Sequence, residues 1–123
     1  TVSANQQEGI EPGHVAFYMA SDPAKLATAI AGMKAQLERL RHEPVSGEEL
    51  ERAKNYLIGT FDLDLQKNSS VASALAMDTR LGLGWRELER FPREIQTVTQ
   101  QDILQAARHF LDPRHAVLSV IAP

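Results

Sequence analysis

Val45-Ser46-Gly47-Glu48-Glu49-Leu50-Glu51-Arg52-Ala53-Lys54-Asn55-Tyr56-Leu57-Ile58-Gly59 is the stretch on which the fold turns. Ser46 stands where an N-cap hydroxyl accepts from the backbone N–H three residues on. Glu49 stands where a carboxylate reaches back to the N-cap N–H, so the two predict a capping box. Behind them Leu50, Ala53, Leu57, Phe61 and Leu65 recur at steps of three and four. That spacing predicts one apolar face on a helix running to about Gln66. Such a helix suits any buried core, so chemistry has to be sought elsewhere.

Upstream, Ser21-Asp22-Pro23 offers an N-cap followed by proline at the first helical position, where its missing N–H costs nothing. Leu26, Ile30, Met33, Leu37 and Leu40 then form an apolar stripe, and Pro44 ends the helix by disfavouring helical geometry at Glu43. Further upstream, Val2 and Ala4 alternate with polar neighbours, and Gly9-Ile10-Glu11-Pro12-Gly13 is rich in turn residues. From His14 to Ala20 the alternation is clear, with Val15, Phe17 and Met19 on one face and His14, Ala16 and Tyr18 on the other. A hairpin is predicted there.

Downstream, Asn68-Ser69-Ser70 reads as an N-cap for a helix carrying Val71, Ala74, Leu75 and Met77, with Gly82-Leu83-Gly84 as its stop. Trp85 to Phe91 predicts a short helical segment with Trp85, Leu88 and Phe91 turned inward, and Pro92 starts another turn through Ile95. Thr99, with Asp102 at the third helical position, caps a helix bearing Ile103, Ala106, Ala107, Phe110 and Leu111, which Asp112-Pro113-Arg114 breaks. Ala116 to Ile121 is a continuous run of mostly valine, leucine and isoleucine, the pattern of a buried central strand. The order is strand, strand, four or five helices, strand. It predicts an α+β fold in which the last strand returns to the N-terminal hairpin, forming a small antiparallel or mixed sheet covered by helices.

The chain has 123 residues, the length of a single domain or of part of a larger one. It lacks cysteine, which removes disulfides and thiolate metal sites and leaves the compartment open, periplasm and cytoplasm alike. Thirteen basic and sixteen acidic residues give a net charge of −3, no field to favour nucleic acid or an anionic membrane. No apolar run approaches the roughly 20 residues of a membrane-spanning helix. The start at Thr1 reads as that of a fragment or a processed product.

A helical zinc peptidase site needs two histidines one turn apart with a glutamate to activate water. His42-Glu43 comes nearest, but Ser46 stands where the second histidine belongs, and Pro44 breaks the helix. The inverted order needs glutamate three residues after a histidine; Phe17, Val45, Asp112 and Leu118 stand there instead. His109 and His115 flank the Asp112-Pro113 break and read as surface residues. Glu48, Glu49 and Glu51 suit the positive end of a helix dipole better than acid–base work.

Asp62 and Asp64 lie two apart and share no helix face. Ser69 and Ser70 have no neighbouring histidine or lysine to activate them. Gly9, Gly13, Gly82 and Gly84 form no phosphate-binding pattern, and Tyr18 and Tyr56 read as covers of a core edge. The expected catalytic, cofactor-binding and metal-ligating set is therefore none.

Three segments carry a resemblance. They are Gly13 to Pro23, with glycine leading into an apolar strand and an Asp-Pro; the Val45 to Asn55 helix start; and Val98-Thr99-Gln100-Gln101-Asp102-Ile103 with Ala106-Ala107, Phe110-Leu111-Asp112-Pro113 and the closing Val117 to Pro123. In this order they resemble the insulinase or pitrilysin-type zinc metallopeptidases, which include the mitochondrial processing peptidases and bacterial relatives. The resemblance implies two related α/β halves around a closed chamber. The active half bears His-x-x-Glu-His and a further glutamate as third zinc ligand; the partner half bears an arginine and a tyrosine that reach toward the substrate, ahead of the strand corresponding to Thr1 to Gln7.

This chain has none of these residues, so no catalytic position carries over. The Asn55-Tyr56-Leu57-Ile58-Gly59-Thr60-Phe61 run and Gly82-Leu83-Gly84 look more like the inactive half of bacterial members. The implied identity is the later, C-terminal portion of a non-catalytic half, with zinc in a partner half that closes on peptide substrate. Two alternatives stand beside it: a structural or assembly subunit of the same fold, as in the core subunits of respiratory complexes, and an unrelated α+β binding module.

Overall fold

The computed structural model describes residues 1–7 and 11–121. Gly9, Ile10 and the closing Ala122-Pro123, read above as turn residues and strand end, lie outside the described residues. Strand β1 (Val2–Gln7) pairs antiparallel with β2 (His14–Met19), setting Val2 opposite Met19, Ala4 opposite Phe17 and Gln6 opposite Val15. Directly opposed residues share a face, so Val15, Phe17 and Met19 line one side as the alternation predicts. Only Phe17 and Met19 are half-buried; every other strand residue is exposed.

Asp22 Oδ1 accepts from the Ala24 N–H at 2.8 Å and starts a single 3-10 turn at Pro23–Lys25, which feeds α1 (Leu26–His42). All five predicted stripe residues of α1 are half-buried. Glu43 is extended (φ −120°, ψ 135°), as the following proline demands, and α2 (Gly47–Asp64) begins behind the Ser46 cap. There follow α3 (Asn68–Arg80), α4 (Glu87–Thr97) and α5 (Gln100–Phe110). A second 3-10 turn at Pro113–His115 closes the folded part.

The helices pack as pairs, α1 with α5, α2 with α4, and α3 with α4. The α1–α5 seam is pinned where Arg108 Nε donates to the Arg41 carbonyl at 2.9 Å. The α2–α4 seam holds Phe61 and Phe91 with ring centroids 4.6 Å apart. The Gln100 amide donates to the Val45 carbonyl at 2.6 Å and ties the start of α5 to the α1–α2 link. Among the described residues, only Leu50, Leu104 and Ala107 are apolar and nearly fully buried, so the core is small and lies in the helical body.

The α+β class, the hairpin and the helices follow the sequence reading. The C-terminal strand does not form: residues 116–121 have no strand pairing, Val117 and Ile121 are 95% and 99% exposed, and among the described residues the sheet is β1–β2 alone. An apolar run becomes a strand only where a neighbour supplies the ladder hydrogen bonds, and none does so here. The hairpin packs chiefly on itself rather than under the helices.

Local readings shift as well. On α2 and its C-cap the inward residues are Leu50, Lys54, Ile58, Phe61 and Leu65, while Ala53 and Leu57 are exposed. Ser46 Oγ accepts from the Glu49 N–H at 3.1 Å without the reciprocal bond; the complete capping box is Thr99–Asp102. Lys67, with no side-chain cap bond, precedes α3, so Asn68, Ser69 and Ser70 stand inside its first turn.

In α4 the helix runs through Pro92 without a break, and Trp85 is 60% exposed with the Arg86 guanidinium 5.0 Å from its ring. On α5, Leu104 and Ala107 face inward while Ala106 and Phe110 are exposed. Gly82 (φ 79°) and Gly84 (φ 84°) do stop α3, in the left-handed region open chiefly to glycine.

Candidate functional site

Each histidine sits in its own local setting. His14 opens β2 opposite Gln7. His42 Nε2 lies 3.2 Å from Glu38 Oε2 one turn back on α1, a carboxylate already shared with Arg41 at 3.0 Å. His109 meets Phe110 edge to face at 4.5 Å, and His115 Nδ1 lies 3.9 Å from Asp112. Strand pairing, helix spacing and chain turns account for these contacts, and none brings further metal-ligating side chains together. No group of three or more histidine, aspartate or glutamate side chains suited to a metal ion occurs among the described residues. Among the described residues, no set of side chains therefore fits a zinc site.

The carboxylates divide in the same local way. Glu48 and Glu49 stand in the first turn of α2, where the dipole favours them. Glu51, grouped with them by sequence, instead forms an ion pair, its Oε1 accepting from Lys54 Nζ at 3.0 Å. Lys54 also donates to the Gln96 carbonyl at 3.1 Å, near the end of α4, so one buried ammonium joins two helices. The sequence reading missed it. Its register, four residues after Leu50 and four before Ile58, was the available signal.

Asp112 is the most strongly held acid. Arg114 clamps both of its oxygens, with Nη2 to Oδ2 at 2.6 Å and Nε to Oδ1 at 3.1 Å, and the Arg114 N–H adds a bond at 2.9 Å. These bonds hold its carboxyl well below the usual carboxylate range. The Thr99 hydroxyl and N–H lower Asp102 in the same direction. Both are capping arrangements at turns. Asp62 and Asp64 are exposed, as are Tyr18 and Tyr56 at 58% and 69%.

A shallow cleft of about 250 Å³ lies where α1 turns into α2, lined by Arg39, Leu40, Glu43, Pro44, Val45, Ser46 and Glu49. Its one hydroxyl, on Ser46, serves as the cap acceptor of α2, and no imidazole is present to activate it. Its lining includes one arginine and two glutamates and no nucleophile–base pair.

The remaining notable surface is uncharged. The strand residues VSANQQ and HVAFYM contain no aspartate, glutamate, lysine or arginine, and Val2, Val15 and Tyr18 are exposed on them. Sheet edges left to solvent are commonly guarded by charge or proline; these strands have neither. No helix among the described residues is long and apolar enough to cross a membrane.

The sequence pattern described as the Peptidase M16 inactive domain matches residues 1–57. No curated protein sequence matches the chain. The fold is similar to the inactive peptidase domain of a candidate zinc protease from Bordetella parapertussis, with a TM-score of 0.75 and 23% identity over 92% of this chain and 60% of that one. It is likewise similar to a candidate zinc protease from Bordetella pertussis Tohama I, with a TM-score of 0.70 and 24% identity over 92% of this chain and 62% of that one. At these identities the likeness is one of fold. The chain spans about three fifths of the length of each.

Proposed function

We propose that this chain, whose residues 1–57 carry the sequence pattern of the M16 inactive domain, is the non-catalytic later portion of a zinc metallopeptidase half. In this reading it forms part of a chamber wall and the docking surface for a zinc-bearing half that cleaves extended peptides. One pairing of facts carries the reading: the inactive-domain pattern, and four histidines held in separate local settings. The described residues offer no ligand set for zinc, and in this reading the hydrolytic metal belongs to the partner half. The strands β1 and β2, free of aspartate, glutamate, lysine and arginine and unguarded by proline, suit pairing with another chain.

The test is zinc content and peptide cleavage by this chain alone and after mixing with a partner half bearing His-x-x-Glu-His. The expected outcome is substoichiometric zinc and no cleavage alone, with cleavage appearing on mixing. Stoichiometric zinc or cleavage by the chain alone would overturn the reading. An assembled, zinc-loaded pair without activity would favour the structural-subunit alternative.

A further inference from the structure

We draw no further inference here: the strongest candidate, the two-stranded β1–β2 sheet together with the exposed apolar segment 116–121, is an apolar and polar surface that nothing in the structure shows covered.

Discussion

The N-terminal hairpin and the helical body are written in equally clear patterns, period two in one and steps of three and four in the other, yet among the described residues it is chiefly the helices that find partners beyond their own local unit. A helix satisfies its backbone internally and needs neighbours only for its apolar stripe. A strand needs neighbours for both. The described residues therefore hold three β-rich stretches, two paired with each other and one, 116–121, without strand pairing. Two-stranded sheets are marginal in water, which places this chain's own stability in the helix seams.

Substitutions ordered by expected effect can break that contrast. Leu104→Ala, at one of the few nearly buried apolar positions, is expected to cost about 2 to 4 kcal/mol in urea unfolding. A cost near zero would show that the α5 face is not core. Lys54→Met keeps the aliphatic stem but removes the link to the Gln96 carbonyl and Glu51. It is expected to cost about 1 to 2 kcal/mol by the same measurement. Thr99→Ala removes the side chain of the complete capping box and is expected to lower stability by about 1 kcal/mol.

Acid sensitivity sharpens the comparison at the junction between the helices and the exposed tail. The Asp112 carboxyl is depressed in the folded chain, so its contribution is full above its ordinary value of 3.8 and fades as pH falls toward the lower folded value. Melting temperatures followed from pH 6 downward are expected to lose this component below about pH 4, and Asp112→Asn is expected to lack it. An unchanged acid limb in the variant would show that the Arg114 clamp is not held in solution. The smallest effect is expected at the tail, where Val117→Ser should change stability by less than about 0.5 kcal/mol. A cost of about 2 kcal/mol there would mean that the segment is buried in solution, and the contrast between the two regions would fail.

Several helix boundaries were legible because their signals are local. Ser46, Asp22, Thr99 and the Gly82–Gly84 pair act within a few residues of themselves and do so here. Which face of a helix turns inward was less legible. Ala53 and Leu57 fitted the apolar spacing on α2 as well as Lys54 and Ile58 fitted a register one residue later. The choice fell to the second register, in which the Lys54 ammonium meets the Gln96 carbonyl of α4.

The sequence by itself determined the hairpin, the succession of helices and the caps at Asp22, Ser46 and Thr99, because each depends on residues a few positions apart. Only the tertiary structure decided that Lys54 is buried, that Trp85 and Phe110 face solvent, and that residues 116–121 form no strand. Those outcomes depend on partners distant in the chain: a carbonyl 42 residues away for Lys54, and for the last segment a sheet edge that is not supplied.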